Sequence, residues 1–413
     1  MDKSTNSSLA PLKFKELVAF TAGVMALNAL AIDMMLPALG IIGDELNISN
    51  DNDRQLLIIV YIIGTGVAQL FFGPIVDRFG RRKVLLLSLC AYVVMSLVSI
   101  VASTFSLLLI ARALQGVTTA AARVAMIACV RDQVSGRRMA EVMSLALTIF
   151  MAAPILAPAI GQIILFAAPW RGIFVALLIY AAILAACLWA RLPETLAIEK
   201  RAKLQPRGII AAYTEFITNR TSVGYTLVAA ACFGALLSLI SSSEQIFLET
   251  FALGDYFALA FAGIAGALAC ATLFNAKLVG RIGMRRICHG ALVVFLATNI
   301  VHLIVLSMIG DNLAVFMVFM CISFFTLGLI SPNCGALAME PMGHIAGAAA
   351  AANGFASTTL AGILGAIVGR TYDGSTTPII VGFVALGVAG LLAAYVSEKG
   401  QLFGVGHIST EAS

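Results

Sequence analysis

Among the ionisable side chains inside long apolar runs of this 413-residue chain are Asp33 in NALAIDMMLPAL, Arg112 in RALQGVTTA and Glu244 in ISSSEQIFLET. An ionised group deep in hydrocarbon costs at least about 2.5–3.5 kcal/mol on insertion scales, so each needs a reason to be there. A carboxylate that switches pairing with a fixed cation can load and release a proton, because desolvation favours the acid and the cation favours the carboxylate. Asp33 is expected about six residues, roughly 9 Å, from the outer end of its run, and Arg112 enters from the outside to a similar depth. The two are therefore expected to couple, directly or through Gln115 and water. The alternative is a static buried ion pair that only fixes helix packing. Glu244 lies at a similar depth, flanked by Ser243 and Gln245. It is expected to face the same central cavity as a near symmetry mate of Asp33, unless it sits close enough to the outer surface to be solvated. Arg123, eleven residues beyond Arg112 and on roughly the same face, is either a cavity cation or a snorkelling arginine. The candidate substrate cavity is thus Asp33, Gln115, Arg123, Ser243, Glu244 and Gln245. His302 has no acidic neighbour in its apolar run, which favours a packing or hydrogen-bonded histidine over a proton relay.

Other chemistries find no support. The eight cysteines are scattered singly through apolar runs, without C-x-x-C, and read as small buried hydrophobes. The four histidines show no H-E-x-x-H spacing, so neither a metal nor an organic cofactor is expected, only the proton as coupling ion. Hydrophobic residues make up 61% of the chain and charged residues 11%, against about 25% charged in soluble domains. This is an integral membrane protein of the lipid bilayer. The net charge of +5 does not point to nucleic acid, because the cations cluster in turns between apolar runs.

The elements that must position these residues are spans at about 15–42, 54–75, 84–104, 106–131, 139–164 and 169–191, then 222–250, 254–280, 287–309, 312–338, 345–371 and 376–397. The first run is too long for a signal-peptide core. Of 26 Lys and Arg, 21 fall in the tails and even-numbered turns, which places both termini in the cytoplasm. The longest polar connection divides the chain into a bundle of residues 1–192, a cytoplasmic linker 193–220 and a bundle of residues 221–413. A shift of 203 residues lays Gly73–Lys83 (GPIVDRFGRRK) over Ala276–Arg286 (AKLVGRIGMRR), matching Arg78 with Arg281 and Gly80 with Gly283. The expected architecture is all-α, with twelve transmembrane helices in two pseudo-symmetric bundles of six. In the first turn Gly73 and Gly80 are small where helices approach, and Asp77 is a lone anion among Arg78, Arg81, Arg82 and Lys83. Asp77 becomes Gly280 in the repeat, so an anion-centred latch is expected in the first half only. Pro154 and Pro158, four residues apart, with Gly161 after them, should bend and closely pack span five. The small-residue run GAAAAANGFASTTLAGILGAIVG should make span eleven closely packed or cavity-lining.

The turn pattern G-x-x-x-D-R-x-G-R-R-[KR] resembles the loop between spans two and three of the major facilitator superfamily. With A-I-D-M-M-L-P-A-L around Asp33, R-A-L-Q-G at 112–116, A-P-A-I-G at 157–161, P-W-R at 169–171, L-P-E-T-L at 192–196 and E-P-M-G-H-I-A-G at 340–347, the chain is similar to the bicyclomycin/chloramphenicol resistance (Bcr/CflA) drug:proton antiporters of that superfamily. The resemblance covers nearly the whole chain. It implies the major facilitator fold, an acidic site at Asp33, proton coupling through Arg112, and the antiporter motif of span five at Pro158 and Gly161, with Ala157 where that motif often has glycine. Glu244 is not required by the motif. The resulting expectation is a monomeric proton-coupled exporter of small, drug-like hydrophobic compounds in the bacterial inner membrane. Its rivals are a proton-coupled exporter of one endogenous metabolite and a passive channel, which would not need a buried switchable pair. A membrane-embedded enzyme is the weakest reading, since no nucleophile or metal constellation is present.

Overall fold

In lipid, each backbone N–H and C=O must find its partner within its own run, so long apolar stretches fold as helices. The computed structural model describes residues 12–197, 199, 201 and 206–404, and its elements are all helical. They are α1 (Phe14–Asp33), α2 (Leu39–Glu45), α3 (Leu56–Phe79), α4 (Arg81–Val101), α5 (Phe105–Gln133), α6 (Gly136–Ala167), α7 (Arg171–Arg191), α8 (Pro206–Thr218), α9 (Arg220–Glu244), α10 (Phe257–Ile282), α11 (Met284–Ile309), α12 (Leu313–Met339), α13 (Ala346–Gly369) and α14 (Thr377–Ser397), with short 3₁₀ and π turns between them. Apart from the short α2 and α8, these are twelve helices long enough to span a bilayer. α12 and α13 form one apolar stretch that bends at Glu340–Ile345, where Pro341 stands and Met342 leaves helical geometry. Large apolar side chains such as Phe166, Leu259 and Met308 remain exposed, as a lipid-facing surface requires.

The packing repeats. In the first six long helices α1 packs on α5, α6 and α7, α3 on α5, and α4 on α5 and α7. In the last six α9 packs on α12, α13 and α14, α10 on α12, and α11 on α12 and α14, which is the same wiring. The two groups meet chiefly along α3 with α13 and along α6 with α10, again a symmetry-related pair. The small residues of α13 are packing residues here: a side-chain carbon on Gly354 would lie 2.2 Å from Gln69 Oε1, and one on Gly369 2.3 Å from Gln55 Oε1. Part of the polar linker forms α8, whose Tyr213 hydroxyl donates to the Leu70 carbonyl (2.7 Å) while Phe216 is buried against Met342 and Ala349.

The turns that the repeat singled out are one residue long. Gly80 (φ +95°) and Gly283 (φ +88°) each end one helix and start the next in a conformation that side-chain-bearing residues avoid. Gly73 behaves otherwise than expected. It lies inside α3 with open space where a side chain would go, so no helix approaches it.

Candidate functional site

Span one loses its regular helix at Asp33. α1 stops there, Pro37 heads a 3₁₀ turn over Leu36–Ala38, and α2 carries the chain on to Glu45. Because α2 prolongs the span, Asp33 lies twelve residues from Glu45, about 18 Å of helical rise. It is therefore deeper than the six-residue expectation. Asp33 is 3% exposed, and its Oδ1 is buried without a hydrogen-bond partner among the described residues. An ionised carboxylate in such a place would be an unpaired buried charge, the costly state for this group.

Arg112 does not pair with it. The fully buried guanidinium donates from Nε to the Leu57 carbonyl (3.1 Å), from Nη1 to Gln115 Oε1 (3.0 Å) and from Nη2 to the Ala31 carbonyl (2.9 Å). It also lies 4.5 Å from the centroid of the Tyr61 ring. The expected direct ion pair is thus replaced by a grip on the backbone two residues before Asp33. Helix irregularity makes this possible, because carbonyls near the end of α1 lack some of their intrahelical partners. Gln115 lies within the first bundle rather than in a cavity: its Nε2 donates to Ser96 Oγ (2.9 Å), which fixes its oxygen towards Arg112. Tyr61 is held by Asn28 Oδ1 (2.9 Å) and Thr119 Oγ1 (2.8 Å).

Pro154 and Pro158 both lie inside α6, which stays one continuous helix. A side-chain carbon on Gly161 would lie 2.0 Å from the carbonyl oxygen of Met34. The small residue of span five therefore packs directly on the break that follows Asp33. Overpacking of this kind costs about 1–3 kcal/mol, so Gly161→Ala is expected to reduce transport roughly tenfold at unchanged membrane insertion. Gly73→Ala, in open space, should leave transport within twofold. Initial export rates in vesicles check both, and equal effects would refute the contact.

Glu244, Ser243 and Gln245 are placed elsewhere than expected. α9 ends at Glu244, and a π turn over Gln245–Thr250 carries this segment against the connection between α2 and α3 in the first bundle, at the end away from the Gly80 turn. Arg54 (6% exposed) lies 3.4 Å from Glu244 and also pairs with Glu249. Gln55 donates to Gln245 Oε1 (2.6 Å) and the Gly369 carbonyl (3.0 Å), and Gln245 donates to Asn52 Oδ1 (2.7 Å). Asn52 in turn donates to the Arg370 and Tyr372 carbonyls (3.0 and 2.9 Å), and Arg370 pairs with Asp53. Ser243 Oγ donates back to the Ile240 carbonyl (2.8 Å). These three residues belong to a polar layer that joins the two bundles, not to an open cavity wall. Among the described residues, the ion pairs joining the first six long helices to the last six are Arg54–Glu244, Arg54–Glu249 and Asp53–Arg370, all in this layer. Arg123 stands further along α5, half-buried at the seam, donating to Gln69 Oε1 (3.3 Å), whose Nε2 donates to Thr358 Oγ1 (3.3 Å). It is a seam cation rather than a snorkelling one. His302 stacks on Phe319 (4.6 Å between centroids), a packing role.

On the opposite side α8 touches both bundles, with Glu215 pairing with His344 (2.6 Å), and the other ion pairs there, among the described residues, stay within one bundle. Arg81 pairs with Asp77 (2.8 Å) and Asp132 (3.0 Å), and its backbone N–H donates to Glu194 Oε1 (2.9 Å), which caps α4. Arg82 donates to the Trp189 carbonyl (2.7 Å), and Arg78 lies 5.8 Å from the Phe79 ring. In the second bundle Arg285 pairs with Glu340 (2.7 Å) and Glu398 (2.8 Å). This corrects the expectation of a latch in the first half only. The missing acid at Gly280 is replaced by acids that follow α12 and α14. Burial pushes the Glu398 carboxyl up, but the Tyr225 hydroxyl and Arg285 outweigh it and hold the carboxyl below the usual range. Half-buried pairs contribute on the order of 1 kcal/mol or less each. Arg285→Gln, which loses two, is expected to lower the unfolding temperature by about 2–4 °C, and Asp77→Asn by less than half of that. Scanning fluorimetry decides, and a larger loss for Asp77→Asn would overturn this reading.

The profile of the Major Facilitator Superfamily matches residues 21–366. The chain is 31% identical over 363 residues to the uncharacterized MFS-type transporter YdgK of Bacillus subtilis, covering 85% of this chain and 88% of that one. It is 26% identical over 379 residues to a bicyclomycin resistance protein homolog of Haemophilus influenzae, covering 91% and 94%. With the multidrug resistance protein MdtL of Salmonella paratyphi B it shares 30% identity over 246 residues, covering 59% and 61%. The crystal structure of the human organic anion transporter MFSD10 (TETRAN) superposes with a TM-score of 0.64 at 16% identity, covering 94% of this chain and 100% of that one, a likeness of fold.

Proposed function

The chain belongs to the major facilitator superfamily, whose members are transporters rather than enzymes, and from that premise we propose that it exports small amphipathic or hydrophobic compounds across the bacterial inner membrane in exchange for protons. The observation that carries this reading is Asp33: a buried acid with an unpartnered oxygen, at the break of span one, backed by Gly161 and two residues from the carbonyl that Arg112 grips. In the arrangement described, with the outer polar layer closed, Asp33 holds its proton. When the proton leaves, the carboxylate needs a cation, and the one we assign to it is Arg112, which holds the backbone carbonyl two residues before it. Exchange of Arg112 from the Ala31 carbonyl to Asp33 frees the end of α1, and the Met34–Gly161 contact passes that movement to α6. Because α6 packs on α10, the movement reaches the other bundle. The names of the bicyclomycin- and multidrug-resistance relatives support a drug-like substrate class. The distribution of Lys and Arg supports cytoplasmic termini, and twelve long helices in one chain support a monomeric unit.

The test is a susceptibility panel in a strain stripped of its own efflux pumps. Expression is expected to raise the inhibitory concentration of several structurally unrelated hydrophobic antimicrobials at least fourfold, and collapse of the proton gradient should remove the effect. Protection against none of them would refute drug export. Secretion of a single cell-made compound without drug protection would establish the metabolite exporter instead.

A further inference from the structure

A basic notch and an apolar groove meet on the cytoplasmic side of the first bundle, and together they have the shape and chemistry of a lipid molecule. The notch, about 640 Å³, is lined by Arg82, Lys83, Trp189, Glu194, Glu199 and Arg201, with Leu86 and Leu87 as its inner wall. The groove, about 440 Å³, climbs between α3, α4 and α5 and is lined almost wholly by carbon, with Phe72, Ile75, Phe79, Leu87 and Ala91 among its walls. Lys83 and Leu87 line both cavities, so the polar end opens directly into the apolar one.

We propose that this continuous site binds one anionic phospholipid of the cytoplasmic leaflet, with the headgroup phosphate on Arg82, Lys83 and Arg201 and an acyl chain in the α3–α4–α5 groove. The charge arithmetic favours an anion. Three cations face two acids, and Glu194 is already engaged, accepting from the backbone N–H groups of Arg81 and Leu196 at 2.9 and 3.1 Å. The Nε atoms of Arg82 and Arg201 are both buried without a hydrogen-bond partner among the described residues, although a guanidinium N–H seeks an acceptor. A phosphate supplies several acceptors at once. Arg82 is held in place by the Trp189 carbonyl (2.7 Å), so the donor is positioned before any ligand arrives. Trp189 and Leu87, both in the lining of the notch, are 68% and 60% exposed, and indole rings favour the headgroup level. Basic pockets between membrane helices on the cytoplasmic side are the usual sites for acidic lipids.

The experiment uses the full-length protein, stripped of lipid in mild detergent and titrated with phosphatidylglycerol or phosphatidylethanolamine of identical acyl chains. Bound lipid is counted by native mass spectrometry. Phosphatidylglycerol is expected to bind one high-affinity site at least tenfold more tightly than phosphatidylethanolamine. Brominated phosphatidylglycerol should quench Trp189 fluorescence at that same occupancy. Lys83→Gln with Arg201→Gln, which spares the Gly80 turn, should remove the preference, and Leu87→Trp should weaken both lipids by narrowing the groove. Equal affinity of the two lipids, or a preference that survives the charge-removing variant, would overturn the proposal. So would inorganic phosphate at millimolar concentration displacing the lipid completely, which would make the notch a plain anion site.

Discussion

Asp33→Asn is expected to abolish proton-driven export while the protein still inserts, folds and binds substrate. Asparagine has nearly the shape of the acid and no proton to give, so it holds the arrangement in which Arg112 keeps the Ala31 carbonyl. Little stability should be lost, since Asp33 is 3% exposed and has no ion pair to break among the described residues. The effect on coupling should be complete, because among the described residues no ion pair gives Arg112 an acid that could take its place. Substrate-induced proton release from purified protein should fall to the baseline, and export should cease to respond to an imposed pH gradient. Undiminished release would remove Asp33 from the mechanism. Arg112→Lys gives the complementary result, since an ammonium cannot reproduce the planar fork that reaches Leu57, Gln115 and Ala31 together. Proton release should persist there but uncouple from substrate, measured as release per substrate bound.

Much of this was legible in the sequence. Twelve apolar runs, the charge bias and the repeated Gly80 and Gly283 turns specify the helices, their order and their symmetry, because lipid leaves the backbone few alternatives. Ionisable groups inside apolar runs mark Asp33 and Arg112, the Pro154–Pro158 pair marks Gly161, and the family resemblance points to the same three residues. What residue types do not encode is who meets whom across distance in the chain. Arg112 was expected beside an acid, yet a guanidinium is equally served by carbonyls freed where a helix breaks, and Pro37 was the signal of that break. Depth in an apolar run points Glu244 to a cavity, whereas its partner Arg54 lies in a connection 190 residues earlier, where no periodicity relates the two. The second-bundle latch had a detectable signal. Glu194 shifted by the repeat distance falls on Ser397, next to Glu398, so extending the repeat to the bundle ends would have found it.

Arg54→Gln is expected to unseal the outer side. Arg54 is the hub of the polar layer, touching Glu244 from one direction and Glu249 from another, while its own burial leaves little water to replace them. Removing one partner of a buried pair costs about 3–5 kcal/mol because the other charge remains uncompensated. That cost falls only on the closed arrangement, since separation of the bundles hydrates Glu244. About 3 kcal/mol corresponds to more than a hundredfold shift towards the arrangement with the outer layer parted. The measurement is alkylation, by a membrane-impermeant maleimide, of a cysteine placed at Asn52 in a cysteine-free background. Labelling should rise at least tenfold in Arg54→Gln, and export should fall because the closed half of the cycle is rarely visited. Glu244→Gln should have a smaller effect, for Glu249 still holds Arg54. The double variant Arg54→Gln, Glu244→Gln should recover much of the closure, because no charge is then left buried alone. If Arg54→Gln labels no faster than the parent, or if the double variant labels as fast as the single one, the layer is packing and not a seal.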